Sequence, residues 1–214
     1  SLKPDIVLIG GDQIENYGST EDETQYLKPL EKVAKQIPTY AIHGNHEYGI
    51  SEGETYVDPK KSLGDKSADV KTVMEKIGIN YLTNDLVAID KNGAKFYLFG
   101  GDDYWSGKLN YSKLKTRNPN LPTIALIHNP AAAFDVAGYG IDLLLSGHTH
   151  GGQIRLPFIG PVARVDKIIP SDWYKGFHEY QGMKLFVSSG IGGGIRSRLF
   201  NPPEVVVINL VPTK

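Results

Sequence analysis

The chain has 214 residues, 40% of them hydrophobic and 22% charged, with 23 Lys and Arg residues against 24 Asp and Glu residues. This balance is typical of a globular protein with a substantial core, which excludes a disordered chain, and it indicates no nucleic-acid partner. The sequence contains no cysteine, so any bound metal must have nitrogen and oxygen ligands. No apolar run reaches the roughly 18 residues that span a bilayer.

The first part of the chain predicts two strands and two helices. Residues 5–9 and 39–42 are short apolar runs, each followed by a turn rich in Gly and polar residues, which is the pattern of a buried strand. Helical patterns cover residues 21–36 and 67–77, the second capped by Ser67 and ended by Gly78. The polar stretch 51–65 before the second helix predicts a mobile insertion.

The remainder predicts a hairpin followed by four strands. Residues 86–90 and 94–99 flank Lys91-Asn92-Gly93, a strong hairpin turn signal. Apolar strand patterns follow at residues 123–127, 141–145, 184–188 and 205–210. Strands that alternate with helices predict an α/β fold with a mixed sheet or a pair of sheets. No clear linker interrupts the pattern, so we predict one domain over residues 1–214.

Ligand-type side chains follow four of these strands at their carboxyl ends. They are Asp12, Asn45, His46, His128, His148 and His150. In open α/β sheets, loops from several strands converge beyond these ends, so we expect the side chains to meet at one edge. Imidazole, carboxylate and amide oxygen suit borderline divalent ions such as Zn, Mn, Fe or Co. In an extended backbone His148 and His150, two residues apart, would point to the same side.

The alternative is that the histidines are unrelated surface or structural residues. We favour that interpretation for His178, which lies in a polar run at residues 176–180, and His43 similarly fits a structural or supporting role. For the clusters at the strand ends, coincidence is a poor explanation, because each cluster follows the same apolar pattern and the four-residue segment 44–47 is an uncommon combination.

Four segments resemble the calcineurin-like metallophosphoesterases, in the order of that family. They are Gly11-Asp12, Gly44-Asn45-His46-Glu47, His128 and Gly147-His148-Thr149-His150. The resemblance implies a metallophosphoesterase-type β-sandwich flanked by helices. It also implies divalent-metal-dependent hydrolysis of phosphate esters, with phosphodiesters or pyrophosphates as the expected substrates. In this pattern a metal-bound hydroxide attacks the phosphorus without a covalent enzyme intermediate.

The resemblance also assigns metal ligands. Asp12 would bridge two divalent ions, which are expected to be Mn, Fe, Zn or Co. Asn45, His128 and His148 would complete the ligands of one ion. His150 would bind the other ion.

His46 would not bind metal in this pattern. It would contact the scissile phosphate or protonate the leaving oxygen, which makes His46, with the adjacent Asn45, the candidate catalytic residues. Glu47 would orient them by its position. A non-catalytic metal-binding scaffold of the same fold is the alternative, but a structural ion site does not need a non-ligand imidazole such as His46.

The sequence departs from the family pattern before Asp12. Family members open with an Asp-x-His strand that supplies two more ligands of the ion bound by His150, and no such motif precedes Asp12. We therefore expect a fold without its first strand, an exposed edge beside residues 5–9, and an incomplete second ion site. Either the natural gene product extends upstream of Ser1 and holds two ions, or the chain is a divergent member of the family with one weakened ion site.

Arginines near the strand ends are candidates for the phosphate contact. Arg155 and Arg198, together with Arg196, fit this role, or they pair with Glu204. The Gly-rich run at residues 190–194 fits a backbone cradle for phosphate, although a turn between strands is the favoured interpretation because no nucleotide-binding motif follows.

Residues 151–157 and 200–204 resemble a membrane-associated bacterial branch of the family, which includes hydrolases of lipid-linked sugar nucleotides. This softer resemblance implies lipid-linked substrates, contact with a membrane surface and a location peripheral to the bacterial cell membrane. The apolar loop at residues 154–162 fits a lip that meets lipid or, as the favoured interpretation, a buried crossover. Tyr104 and Trp105 fit either a cleft wall or an edge of the core.

Overall fold

The computed structural model describes residues 2–50, 64–162, 164–192 and 198–211. Its α-helices are α1 (Thr20–Thr24), α2 (Leu30–Ala34), α3 (Ser67–Lys76) and α4 (Ala133–Val136). Short 3₁₀ helices cover Gln25–Leu27, His46–Tyr48, Ser112–Thr116, Pro130–Ala132, Ala137–Tyr139, His150–Gly152 and Ser171–Tyr174. None of the helices in these ranges is long and apolar enough to cross a bilayer.

The strands of the described ranges form two sheets and one small hairpin. A parallel sheet contains, in spatial order, β1 (Val7–Ile9), β2 (Thr39–Ala41) and β3 (Asn80–Tyr81). A mixed sheet contains β4 (Asp85–Lys91), β5 (Ala94–Gly100), β6 (Thr123–Leu126), β7 (Leu143–Ser146), β10 (Gly176–Tyr180) and β11 (Met183–Val187). The small hairpin pairs β8 (Arg155–Leu156) with β9 (Gly160–Pro161).

The centre of the mixed sheet is parallel. Its spatial order is β10-β11-β7-β6-β5-β4, and β5, β6, β7 and β11 run in the same direction, whereas β4 and β10 are antiparallel edge strands. The loops that follow the four parallel strands therefore leave the sheet at one edge, which is where ligand sites form in sheets of this kind.

The two sheets pack face to face around a shared apolar cluster. Side chains alternate between the two faces of each strand, so neighbouring residues face different parts of the core. Leu98 of β5 packs between the sheets with Ile42, and its neighbour Phe99 faces the opposite side, in the core beneath the helical segments that follow β6. On the outer face of the parallel sheet, Val70 and Met74 of α3 close a further apolar cluster. The predicted α/β sandwich flanked by helices is confirmed.

Most predicted elements are confirmed with small shifts at their ends, including the hairpin around Lys91-Asn92-Gly93 and the helix after residue 66. The predicted cap of α3 is wrong, because the N-cap residue is Lys66, which makes no side-chain capping bond, and the Ser67 N–H donates to Asp65 Oδ1 at 2.9 Å. The helix predicted over residues 21–36 is divided into two, since Pro29, which has no N–H, lies at its middle. Residues 51–63 of the predicted insertion lie outside the described ranges.

One predicted strand is absent from the described structure, and one observed strand was not predicted. Residues 205–210 form no strand in the described structure, and the side chains of Val205 and Val207 are exposed. The polar run at residues 176–180 is the edge strand β10, in which the apolar–polar alternation is too weak to predict a strand. Within the described ranges, β1 pairs only with β2, so the edge of the parallel sheet at β1 has no strand beside it.

Candidate metal centre

Three ligand-type side chains from three different strand ends meet at the edge where the parallel strands finish. Asp12 follows β1, His128 follows β6 and His148 follows β7, and one ligand atom of each lies within 4.8 Å of the other two. Both imidazoles are buried. A cluster of a carboxylate and two imidazoles fits a borderline divalent cation in the chemistry of its donors.

His128 is oriented by a backbone carbonyl. Its Nδ1–H donates to the Gly10 carbonyl oxygen at 2.6 Å, which leaves Nε2 to face Asp12 Oδ2 at 2.9 Å. Burial alone would lower the pKa of His128, but the Asp12 carboxylate outweighs burial and raises it to about 9. The pKa of Asp12 is held well below its usual value, against burial, chiefly by His128 and His46. A positive charge, either a proton or a cation, is therefore favoured between these two side chains.

Asn45 faces His148 on the other side of the cluster. The Asn45 side chain is oriented because its Nδ2 donates to the Ile50 carbonyl at 2.6 Å, and its Oδ1 lies 2.9 Å from His148 Nδ1. Burial and then the nearby His128 lower the pKa of His148 well below the usual value, so the ring is neutral. The indole of Trp105 packs edge-on against the ring at 4.2 Å between centroids. Asn45 and His148 thus present two neutral donor atoms side by side.

The segment from Gly147 to Gly152 is a tight turn, so our expectation of an extended backbone there is wrong. His148 and His150 both adopt left-handed conformations, with φ of 64° and 49°, and the chain continues as a 3₁₀ turn. The turn is anchored by Asn201, whose Nδ2 donates to the His150 carbonyl at 2.6 Å. The His150 side chain is partly buried, and burial lowers its pKa to about 4. His150 does not belong to the group of three that meets within 4.8 Å.

The buried carboxylate of Glu47 ties two site loops together. Its Oε2 accepts the N–H groups of Asp12 (3.1 Å) and Gly44 (2.7 Å). Its Oε1 accepts the N–H groups of Gln13 (2.6 Å) and Ile14 (3.3 Å). One side chain that is 0% exposed therefore fixes the position of the Asp12 loop relative to the loop at residues 44–47.

Close approach of these loops requires glycine at two positions. A Cβ atom on Gly44 would lie 2.2 Å from Asp12 Oδ1, and one on Gly11 would lie 2.6 Å from His128 Nδ1. Gly11 also has a φ of 97°, which side chains disfavour. The glycines that precede Asp12 and Asn45 in the sequence are thus explained by the contact between the loops.

His46 lies at the open side of the site. Its side chain is 19% exposed, its backbone N–H donates to Asp12 Oδ1 at 3.0 Å, and its Nδ1–H donates to the Glu15 carbonyl at 3.2 Å. Burial opposes the change, but the Asp12 carboxylate raises the pKa of His46 above the usual value. Because Nδ1 is engaged, Nε2 is the atom that can meet a substrate.

Two of the predicted arginines, Arg155 and Arg198, lie in the described ranges, and both donate to backbone carbonyl groups. Arg198 Nη2 donates to the carbonyls of Ser189 (2.8 Å) and Gly192, and Arg155 Nη1 donates to the Gly151 carbonyl at 3.1 Å. No hydrogen-bond partner of Arg198 Nη1, a buried atom, is found in the described ranges. Arg196 and residues 193–194 of the Gly-rich run lie outside those ranges.

The remaining histidines have structural contacts. His43 is buried, with Nε2 donating to the Ser67 carbonyl at 3.1 Å and Nδ1 3.3 Å from Asp102 Oδ1. His178, on the edge strand β10, donates from Nε2 to the Lys175 carbonyl at 3.0 Å. The interpretation of both as non-ligands agrees with these positions.

Sequence reasoning did not find several polar residues that support the site. Asp103, after β5, is buried, and burial raises its pKa to about 6. Asp166 lies beside His148, and Asn201 holds the turn at His150. The Gly101-Asp102-Asp103 segment follows an apolar strand and carried the same signal as the other strand ends, whereas Asp166 and Asn201 follow no strand.

The loop at residues 154–162 is exposed, so the interpretation as a buried crossover is wrong. We call β8, β9 and their connection the apolar hairpin, residues 155–161. Phe158 at its tip is fully exposed and Ile159 is 74% exposed. Phe158 has a φ of 65°, which is unusual for a bulky residue. The apolar hairpin borders a surface cleft of about 550 Å³, which Arg155 and Phe200 also line.

The chain belongs to the calcineurin-like phosphoesterase family, whose sequence profile matches residues 1–152. It is 28% identical over 210 residues to the phosphodiesterase YaeI of Escherichia coli K12, covering 98% of this chain and 71% of that protein. It is 31% identical over 219 residues to an uncharacterized metallophosphoesterase of Aquifex aeolicus, covering 97% and 73%. A bovine transmembrane protein with metallophosphoesterase domain is 30% identical over 170 residues, covering 72% and 35%. The protein is a phosphoesterase, which sets aside the scaffold alternative.

Proposed function

We propose that the protein hydrolyses phosphodiesters or pyrophosphates with the help of a divalent ion held by Asp12, Asn45, His128 and His148. The observation that carries this proposal is the convergence of Asp12, His128 and His148, whose ligand atoms lie within 4.8 Å of one another in a largely buried pocket. A bound divalent ion would supply an activated water and neutralise charge on the phosphate.

We propose that His150 belongs to a second, weaker ion site that shares Asp12. The described residues offer only these two side chains for it, and tight catalytic sites usually provide three protein ligands or more. We therefore expect this chain to hold one ion firmly and a second one only at high metal concentration. Mn, Fe, Zn and Co all suit the nitrogen and oxygen donors.

We propose that His46 is the group that meets the substrate. Its Nδ1–H is engaged by the Glu15 carbonyl, so the ring cannot turn freely and Nε2 is available at the open side. A protonated Nε2 can donate to a phosphate oxygen or to the leaving oxygen. The adjacent residue, Asn45, holds this loop beside the ion site through its hydrogen bond to the Ile50 carbonyl.

We propose that the substrate carries an apolar tail and that the apolar hairpin contacts it. Phe158 and Ile159 are exposed and follow Arg155, which can bind a phosphate oxygen at the base of the hairpin. Arg198 is a second candidate for that contact. A lipid-linked substrate at a membrane surface fits this arrangement, and the name of the bovine relative, a transmembrane protein, is consistent with it. The protein would then lie peripheral to the bacterial cell membrane.

Hydrolysis of an aryl phosphodiester by metal-free protein supplied with Mn²⁺, Zn²⁺ or Mg²⁺ tests the proposed reaction. Turnover is expected with at least one of the ions and is expected to disappear when a chelator is added. Elemental analysis of the loaded protein counts the ions. Turnover that persists in metal-free protein would contradict the proposed metal dependence, and metal binding without turnover on diesters and pyrophosphates would contradict the substrate class.

A further inference from the structure

A buried carboxylate, Asp166, lies on the opposite side of the His148 ring from Asn45. Asp166 is 1% exposed, and its Oδ2 is 4.0 Å from His148 Nε2. His148 Nε2 is itself buried, and no hydrogen-bond partner of this atom is found among the described residues. A polar ring nitrogen inside the protein is costly to leave unpaired, and the Asp166 carboxylate, 4.0 Å away, is an acceptor that can satisfy it after a small movement.

The Asp166 carboxylate is fixed in place by groups outside the ion site. Asn129 Nδ2 donates to Oδ2 at 3.0 Å, and the Ile168 N–H donates to Oδ1 at 2.8 Å. The Tyr174 hydroxyl donates to the Asp166 carbonyl at 2.5 Å and accepts the Asp166 N–H at 2.9 Å. The segment that carries Asp166 is thus anchored to Asn129, the residue after the candidate ligand His128.

An imidazole that binds a metal ion is neutral and keeps one ring proton, so the position of that proton on His148 decides what each nitrogen can do. If the proton is on Nδ1, it is donated to Asn45 Oδ1 at 2.9 Å, and the Nε2 lone pair then faces the Asp166 carboxylate, which is unfavourable. If the proton is on Nε2, it faces the carboxylate, and the Nδ1 lone pair faces Asn45 Oδ1. In the second arrangement the two lone pairs repel each other. It is therefore stable only when His148 Nδ1 and Asn45 Oδ1 both coordinate a cation.

We propose that Asp166 is a positioning residue that accepts the Nε2–H of His148 and so keeps Nδ1 free as the metal-binding atom. This inference rests on the proposed role of His148 as a ligand. Groups that orient a ligating histidine typically change metal affinity by about 10-fold to 100-fold. We therefore expect Asp166→Asn to weaken binding of the first ion by about tenfold, since an amide oxygen is a poorer acceptor than a carboxylate.

The test combines a titration with Zn²⁺, which is diamagnetic, and nuclear magnetic resonance of protein with ¹⁵N-labelled histidine. The nitrogen shifts report which ring atom carries the proton, and His148→Gln identifies the His148 signals. On addition of Zn²⁺ to the wild type, the His148 proton is expected at Nε2. Asp166→Asn is expected to need about tenfold more Zn²⁺ in competition with a chelator. Tyr174→Phe is the matched control, because it loosens the same segment and leaves the carboxylate.

The inference is overturned if Zn²⁺-loaded wild type carries the His148 proton at Nδ1, a result that does not depend on the folding of any variant. It is also overturned if Tyr174→Phe loses as much affinity as Asp166→Asn, since Asp166 would then act only by holding the segment. A wild type that binds no Zn²⁺, Mn²⁺ or Co²⁺ overturns the ion site itself, whereas a wild type that binds Zn²⁺ through Nε2 overturns only the role of Asp166.

Discussion

The ion site and the apolar hairpin are built in opposite ways, although both are proposed to act on one substrate. At the ion site, Asp12, Asn45, His128 and His148 are each restrained by a carbonyl, a carboxylate or a facing side chain, and three of the four are buried. In the apolar hairpin, Phe158 is exposed and its backbone adopts a left-handed conformation.

The difference follows from the role that we propose for each region. Metal ligands must keep their atoms within a few tenths of an ångström of their productive positions, and buried hydrogen bonds supply that restraint. An apolar contact with a substrate tail depends on surface removed from water and tolerates small displacements. We therefore expect substitutions in the ion site to change the reaction rate strongly and substitutions in the hairpin to change only the apparent affinity for tailed substrates.

The largest effect is expected from His128→Ala. Loss of this imidazole removes a metal donor and leaves the Asp12 carboxylate without its partner at 2.9 Å. We expect the first ion to be lost and hydrolysis to fall by about a thousandfold or more. Elemental analysis and kinetics with an aryl phosphodiester measure both changes. His178→Ala is the matched control, and equal losses in the two variants would contradict a specific role of His128.

The next effect is expected from His46→Ala, which separates catalysis from metal binding. His46 is not one of the three clustered ligands, so the ion content should stay near the wild-type value. Loss of the proton donor should lower kcat by about 100-fold. The same metal analysis and steady-state kinetics measure these quantities. Loss of the ion in this variant would show that His46 is a ligand and not the group that meets the substrate.

A smaller effect, on folding, is expected from Glu47→Gln. The amide would place an NH₂ group against backbone N–H donors that now share a carboxylate oxygen. We expect the free energy of unfolding to fall by about 2 kcal/mol, and urea denaturation measures it. Glu31→Gln, which breaks an exposed pair with Lys35, should cost about 0.5 kcal/mol or less. Similar costs in both variants would mean that the four bonds to Glu47 add little stability.

The smallest effect is expected from Phe158→Gly in the apolar hairpin. Glycine removes the exposed ring and also suits the left-handed backbone at this position, so the stability should not fall. KM should rise about threefold to tenfold for a diester with a long acyl tail and stay unchanged for an untailed aryl diester. Tyr26→Ser, on another exposed aromatic residue, is the control. An equal change in KM on both substrates would remove the basis for a tail contact.

The residues at the strand ends follow from local patterns in the sequence. A short apolar strand that stops at Gly-Asp, at Gly-Asn-His or at Gly-His-Thr-His is a local pattern, and the parallel order of such strands brings their ends to one edge. For this reason the sequence alone predicts that Asp12, Asn45, His128 and His148 lie at one edge. The helix at residues 67–77 and the hairpin at 91–93 were predictable for the same reason, since helical periodicity and turn signals depend on neighbouring residues.

The supporting groups and the exposed surfaces depend on contacts between segments that are distant in the sequence. Asp166 and Asn201 reach His148 and His150 from segments that follow no strand, and no local pattern marks them. The sequence pattern of the apolar run at residues 154–162 does not distinguish a buried loop from an exposed one, because burial depends on what packs against the loop. The apolar run at 205–210 forms no ladder here, since a strand needs hydrogen-bonding partners that its own sequence cannot provide.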